Sequence, residues 1–346
     1  SFPTRRSSDL IAHEMEDLLA GSVELYEDAA RKQALLAGYA KKCEHNISGD
    51  TIVVRLDQLA ANLEGKADWM MKNIRANEWV KDGEDGWFNG YYDNHGRKVE
   101  GVMDESVRMM LTGQVFAIMS GTATEDQVES ICRSADKYLY DQKAGGYRLN
   151  TNFHEEKFDL GRMFGFAYGE KENGAVFSHM AVMYSNALYQ RGFAKEGNKV
   201  LQALLDAAME FDNSKMYPGL PEYFDNQGRG LYAYLTGAAS WYMLTMITEV
   251  FGVKGDCGDL KIAPALMPEQ YNQDGKAVLK MTFAGRNFEI IFYNKEKKEF
   301  DQLKIQKAAC DGKALEITDE RCTILSKREI QMLSVKETHK IEIELV

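Results

Sequence analysis

Proline is scarce: of 346 residues only Pro3, Pro218, Pro221, Pro264 and Pro268 are proline, so positions 4–217 have none. Proline inside a helix costs about 3 kcal/mol, so a stretch of that length without it favours helices. Cysteine is equally sparse. Cys43, Cys132, Cys257, Cys310 and Cys322 are odd in number and form no CxxC pair, which excludes a disulfide framework and a zinc knuckle and points to a reducing, cytoplasmic setting. The six histidines (His13, His45, His95, His154, His179, His339) make no HxH or HxxxH pair, so no metal is expected. There is no Lys/Arg-rich run, and 42 basic residues against 53 acidic ones leave a net charge of −11. That balance excludes nucleic acid and anionic membrane as main partners. Uniformly apolar runs of bilayer length are also missing.

What is present is a globular composition, 45% hydrophobic, long enough for about two domains. The first ten residues (SFPTRRSSDL) stand apart. They read as the translation of a sequencing-library adapter, with neither the apolar core nor the cleavage site of a signal peptide. Residues 1–10 are therefore set aside as an artefact, and the natural reading frame is expected to begin upstream.

Three segments carry no formal charge: Met109–Thr124, Asn173–Gln190 and Leu231–Thr248. Between them, 125–141 and 194–212 are charged and amphipathic; in the latter Val200, Leu201, Leu204, Leu205 and Ala208 share one face. Alternation of uncharged and one-sided helices predicts an inner layer wrapped by an outer one, as in an α/α barrel. Helical segments near 11–44 and 51–80 precede them. From about Gly258 the period becomes two: Leu279, Met281, Phe283, then after Gly285 Phe288, Ile290, Phe292, and finally Ile341, Ile343, Leu345. This predicts antiparallel hairpins in a small β domain over 258–346. The fold class is thus mainly α with a C-terminal β domain.

Aromatic and polar clusters fall in the loops: Trp87–Asp93, Tyr217–Phe224, and Asp159–Arg162 leading through Phe164, Phe166 and Tyr168 to Lys171–Gly174. Aromatic faces beside carboxylates and amides suit a sugar ring, whose C–H face stacks while its hydroxyls hydrogen-bond. The plainer reading is that they anchor loops. His179, within an uncharged helix, reads by itself as a hydrogen-bonded core residue. Thr236–Gly237, near the start of the last uncharged helix, could offer backbone N–H groups to an anion or simply cap and pack.

Three strings, GWFNGYYDNHGRKVE (86–100), KENGAVFSHM (171–180) and LYAYLTGAASW (231–241), followed by Gly258-Asp259-Leu260-Lys261-Ile262, resemble the C-terminal half of glycoside hydrolase family 94, the inverting β-glucoside phosphorylases. The likeness covers about residues 80–270, and the motifs occur in family order. It implies a catalytic (α/α)6 barrel, of which 11–257 would be the C-terminal part, with an N-terminal β-sandwich and helical linker upstream. It implies no cofactor, inorganic phosphate as co-substrate, a β-linked gluco-oligosaccharide as partner (cellodextrin- or 1,2-β-oligoglucan-type by the wording of the motifs), α-glucose 1-phosphate as product, and homodimers of the intact protein. By motif match His179, Thr236 and Gly237 would hold phosphate, and Glu172 and Glu222 would line the sugar site. The family's general-acid Asp lies in a DWND-like string. The nearest string here, Asp68-Trp69-Met70-Met71, reads as an amphipathic helix, so the acid and the upstream phosphate-binding Arg are expected outside this chain, which alone would be inactive. Two rival readings are an α/α-barrel hydrolase pairing Glu172 with Glu222 or Asp225, and a non-catalytic saccharide-binding fragment. A further variant places the same fold inside a larger polypeptide such as a cyclic β-1,2-glucan synthase.

Overall fold

The computed structural model describes residues 7–19, 23–103, 106–154, 157–217, 219–232 and 237–346, so Thr236 lies outside the described residues. The chain divides into two units, Ser1–Trp79 and Val80–Val346, each taken by itself.

In the first unit, β1 (Ser8–Ala12) pairs antiparallel with β2 (Thr51–Arg55). Helix α1 (Ala29–Cys43) is capped by the Asp28 side chain, which accepts from the Arg31 N–H at 3.0 Å. Helix α2 (Leu56–Asn77) contains Asp68–Met71 as expected, with Trp69 set against Tyr26 at 5.7 Å. The expectation of continuous helix over 11–44 and 51–80 is corrected at both starts: β-branched Thr51, Ile52, Val53 and Val54 form strand, as their stiff side chains favour. Neither α1 nor α2 buries a residue, and Leu36, Leu63 and Met70 stay exposed.

The second unit holds the helical layers. Strand β3 (Asp85–Phe88) leads into the aromatic loop. The amide of Gln114 clamps its end, accepting from the Phe88 N–H and donating to the Phe88 carbonyl, both at 2.8 Å. Helix α3 (Leu111–Met119) buries Leu111, Val115 and Ile118. Helix α4 (Glu125–Tyr138) opens on a reciprocal Thr124–Gln127 capping box. The short strand β4 (Val176–Phe177) runs straight into helix α5 (Ser178–Gln190), which is buried along almost its whole length. Helix α6 (Ala194–Met209) packs on it. A Cβ on Gly197 would come within 2.6 Å of the Tyr189 ring, and Ser185 Oγ donates to the Gly197 carbonyl at 2.7 Å, so the two helices meet backbone to side chain. Leu205 departs from the expected buried face of α6 and is exposed, whereas Val200, Leu201, Leu204 and Ala208 are buried.

Beyond α6, β5 (Tyr223–Phe224) sits between β4 and β6 (Gly230–Leu231) in a three-stranded sheet. Helix α7 (Gly237–Thr245) continues into a π-helical turn at Met246–Val250 and packs on α5, where Asn186 Nδ2 donates to Thr245 Oγ1 at 3.1 Å. Charge-free α3, α5 and α7 therefore contact one another through α5, and the one-sided α6 covers it.

The rest is β structure. Strands β7 (Val253–Asp256), β8 (Asp259–Ile262), β13 (Glu316–Asp319) and β14 (Cys322–Leu325) form one sheet in the order β7-β8-β14-β13. Strands β9 (Lys276–Phe283), β10 (Arg286–Tyr293), β11 (Ile305–Cys310), β12 (Lys313–Ala314) and β15 (Thr338–Leu345) form the other, ordered β9-β10-β15-β11-β12. Ala284 and Gly285, with φ of 47° and 73°, make the tight turn of the β9–β10 hairpin. One pairing corrects the all-antiparallel expectation: β15 runs parallel to β10, Phe288 opposite His339 through Tyr293 opposite Glu344. Alternation within a strand dictates which face is buried, not the direction of its neighbour. Here the closing strand enters the middle of the sheet, where Ile290, Phe292, Ile341 and Ile343 are fully buried.

Candidate functional site

The site is assembled from loops that one arginine ties together. Arg148, 9% exposed, donates to Asp141 Oδ2 (2.7 Å), the Gly174 carbonyl (2.6 Å) and Asn226 Oδ1 (2.8 Å). Asn226 Nδ2 in turn donates to the Tyr168 carbonyl at 2.8 Å, and Asn150 Oδ1 accepts from the Gly174 N–H at 2.8 Å. Between these anchors Gly169–Gly174 folds into a tight loop, closed by the Gly169 N–H on the Asn173 carbonyl at 2.6 Å. The loop needs glycine at its ends: at Gly174 (φ 79°) a Cβ would fall inside the Tyr168 ring, and at Gly169 (φ 91°) inside the Asn226 amide. Its tip presents Lys171, itself at φ 49°, and Glu172.

The three-stranded sheet supplies the second wall. Tyr223 lies opposite both Leu231 and Phe177, and its ring stacks on Phe177 at 4.7 Å with an 18° interplanar angle. The Ser178 N–H donates to the Glu222 carbonyl at 2.9 Å, which pins the start of α5 to the residue just before β5. His179 then falls in the first turn of α5, its ring 6.0 Å edge-on from Phe177 and 5.8 Å from Trp241. A Cβ on Gly237 would sit 2.6 Å from His179 Nδ1 and Cε1, so only glycine lets this ring lie on the first turn of α7.

Among the described residues three buried polar atoms here have no hydrogen-bond partner: Ser178 Oγ, His179 Nε2 and Glu172 Oε2. Burying such atoms without partners costs about 1–3 kcal/mol each, so a cluster of them marks a place where something else bonds. Burial holds the His179 imidazole below its ordinary value, with the Glu222 charge opposing, so the ring is neutral at pH 7. The Tyr223 hydroxyl is raised by burial and then by the neighbouring Glu172 and Glu222 carboxylates. His179, Gly237, Glu172 and Glu222, far apart in sequence, are thus brought together around Tyr223. Asp225 is used differently: its Oδ1 accepts from the Gln227 and Arg229 N–H groups and closes its own turn. The described residues contain no group of three or more His, Cys, Asp or Glu able to hold a metal ion, and no helix long and apolar enough to cross a membrane.

Residues 54–252 match the glycosyl hydrolase 94 superfamily catalytic domain. The chain belongs to glycosyl hydrolase family 94. Among curated family 94 relatives, it is 26% identical over 271 residues to the solabiose phosphorylase of Paenibacillus borealis, covering 76% of this chain and 34% of that protein. It is 28% identical over 269 residues to the cellobionic acid phosphorylase of Neurospora crassa, covering 73% and 31%. The N,N'-diacetylchitobiose phosphorylase of Vibrio proteolyticus is 24% identical over 194 residues, covering 54% and 24%. The chain therefore spans about a third of the length of the first two. Of solved structures, a GH78 family rhamnosidase of Bacillus sp. GL1 aligns over 78% of this chain and 24% of its own at 14% identity and a TM-score of 0.35, too low to bear on the family 94 fold.

The motifs KENG, SHM and TGAASW were visible in the family 94 sequence. Phe177, Trp241 and Tyr232 were not singled out, because an aromatic at helix or strand spacing looks the same whether it packs a core or lines a cleft. The useful signal was adjacency: each lies within four residues of a position the motifs mark.

Proposed function

We propose that this chain forms part of an inverting phosphorylase of β-linked glucosides, one that yields α-glucose 1-phosphate and also runs in reverse. The observation that carries it is His179, whose buried Nε2 has no described partner and whose ring lies by its Nδ1–Cε1 edge against Gly237 in the N-terminal turn of α7. A helix N-terminus offers N–H donors and a positive dipole end to an anion. In this reading His179, Thr236 and Gly237 place phosphate, while Glu172 and Glu222 hold sugar hydroxyls beside the Phe177–Tyr223 stack. A phosphate oxygen forms the new bond to the anomeric carbon as the glycosidic C–O bond breaks. The departing oxygen takes a proton from a carboxylic acid, the upstream Asp implied by the resemblance. Phosphate is already an anion, so the reaction needs no carboxylate base of the kind an inverting hydrolase uses to activate water.

In this reading 11–257 is a share of an (α/α)6 barrel and 258–346 a β domain; the contacts among α3, α5, α6 and α7 favour the first, and the two sheets, one of which also takes in β7 (Val253–Asp256), favour the second. Phosphorylase names among the relatives support phosphorolysis as the reaction. Cellodextrin-type β-1,4 and β-1,2 linkages are the first to test, in a cytoplasmic, homodimeric enzyme. Of the rival hydrolase pairings, Glu172 with Asp225 is less favoured, because Asp225 is spent on its own turn, and Glu172 with Glu222 is separated from phosphorolysis by the phosphate dependence of the product.

The test is to incubate the full-length gene product beside the 346-residue chain with short β-gluco-oligosaccharides, with and without phosphate, and assay α-glucose 1-phosphate. Phosphate-dependent product from the long form alone is expected. Free glucose without phosphate would instead select the hydrolase. Sugar binding with no product under any condition would select the binding fragment.

A further inference from the structure

The Asn226 amide is the point where the two walls of the site meet. It sits in the turn after β5, two residues beyond Phe224, and the Asp225 side chain closes that turn on the Gln227 and Arg229 N–H groups. From there it reaches both ends of the loop that carries Glu172. At the entrance its Nδ2 donates to the Tyr168 carbonyl at 2.8 Å, and it packs on Gly169, where any Cβ would overlap it. At the exit its Oδ1 accepts from Arg148 Nη1 at 2.8 Å, and the same nitrogen donates to the Gly174 carbonyl at 2.6 Å. Only one orientation of the amide serves, because a carbonyl can only accept and a guanidinium can only donate.

Arg148 is itself aimed by the hairpin that precedes it, in which Tyr140 pairs with Tyr147 and Asp141 with Gly146. Its Nε and Nη2 donate to Asp141 Oδ2 at 3.1 and 2.7 Å, which leaves Nη1 turned to Gly174 and Asn226. The guanidinium lies 5.5 Å over the Tyr168 ring, and Gly174 packs against the same ring. A planar fork serves these directions at once, which the point charge of a lysine does not.

The Gly169 N–H on the Asn173 carbonyl already closes the loop on itself. What the outside contacts fix is where the closed loop stands relative to β5, and so where Glu172 meets the Tyr223 hydroxyl that hydrogen-bonds to it. The phosphate side has separate supports. Helix α5 is buried along almost its whole length, the Ser178 N–H is held by the Glu222 carbonyl, and the His179 ring rests against Gly237.

We propose that Asn226 and Arg148 are positioning residues for sugar binding: together they set Glu172 against the sugar, while the phosphate half at His179 and Gly237 is held without them. The proposal rests on the phosphorolysis reading and deepens it, by dividing the site into two halves with independent supports. Neither residue touches a reacting atom; each acts through the place of Glu172.

The test uses the full-length gene product and two variants. Asn226→Asp keeps the size of the side chain and its bond from Arg148, but sets a second acceptor against the Tyr168 carbonyl. Arg148→Lys keeps the charge beside Asp141 and loses the fork. Calorimetric titration with cellobiose, sophorose and inorganic phosphate, one at a time, reads binding without turnover. For the disaccharide that wild type binds, each variant should weaken binding about tenfold, the scale of one hydrogen bond lost with its partner left unpaired, while phosphate binding stays within about twofold. In steady-state phosphorolysis KM for that disaccharide should rise by a similar factor and KM for phosphate should hold. Either variant alone decides this split, should the other not fold. Equal losses for sugar and phosphate, or sugar binding unchanged in a folded variant, would overturn the proposal and leave the network a structural tie only. Wild type that binds neither disaccharide would overturn it as well. The two readings fail separately: loss of the split leaves phosphorolysis standing, and the split without any α-glucose 1-phosphate removes phosphorolysis and leaves the positioning role.

Discussion

At the scale of single residues, His179 and Glu100 show how differently a buried polar group can be used. His179 reads from sequence as a satisfied core residue, yet its Nε2 has no partner among the described residues. His179→Ala in the full-length enzyme should therefore lower phosphate-dependent turnover by about a hundredfold, the usual loss for one placed donor. Stability should fall by less than about 1 kcal/mol, since no described hydrogen bond is lost. Steady-state kinetics in phosphate and a denaturant curve check both halves, and unchanged turnover would remove His179 from the site. Glu100 closes the first of the three motif strings, and nothing in the string assigns it a role. It is 2% exposed and accepts from the Gly90 N–H (2.8 Å) and the Met110 N–H (2.7 Å), bridging the aromatic loop to the start of α3. Burial pushes its carboxyl from an ordinary 4.5 up to about 8, against the lowering effect of those two bonds. Glu100→Gln puts an NH₂ opposite one N–H, so it should cost about 1–3 kcal/mol at pH 5, read by chemical denaturation.

Elements were legible where local pattern and tertiary demand agree. The charge-free strings became α3, α5 and α7, and the amphipathic ones α4 and α6, because burial on all sides admits no charge and burial on one side leaves an apolar stripe. Elsewhere the expectation failed. Thr51–Arg55 forms strand where a helix was expected, in keeping with its run of β-branched residues, and Leu205 is exposed although it shares a stripe with buried residues. Gly197 lies in an amphipathic stretch whose pattern gives it no special place, and its lack of a side chain lets α6 approach α5. Gly197→Ala should destabilise the protein by about 1–3 kcal/mol through overpacking against Tyr189, even though alanine is the better helix former. A urea midpoint at or above wild type would show that the two helices can separate freely. Gly237 acts similarly on the site: Gly237→Ala displaces the His179 ring, so KM for phosphate should rise several-fold with little change in melting temperature.

For the whole molecule, pH ties distant parts together. In the β domain, burial opposes charge on His339, but Asp311 Oδ2 on Nδ1 at 2.7 Å and the Ser334 carbonyl on Nε2 at 2.8 Å outweigh it and raise the imidazole above its ordinary 6.5. A raised histidine contributes fully below its unfolded value and loses that contribution as pH rises through the native value. Glu100 has the same sign: between 4.5 and about 8 the native state keeps a proton that the unfolded chain has released. Denaturation free energy measured from pH 5 to 9 should therefore decline, with Glu100→Gln flattening the lower part and His339→Gln the upper. A profile that neither variant alters would show that neither group titrates on unfolding. By itself the sequence determined the kinds of element, the family, and which residues to suspect, because periodicity, glycine and charge are written locally. It did not determine that β15 enters its sheet parallel to β10, that Glu172, Glu222, His179 and Gly237 meet around Tyr223, or that Arg148 and Asn226 meet beside the loop that carries Glu172. Those depend on the path of the chain between distant segments, and burial, orphaned polar atoms and shifted titration exist only once that path has closed.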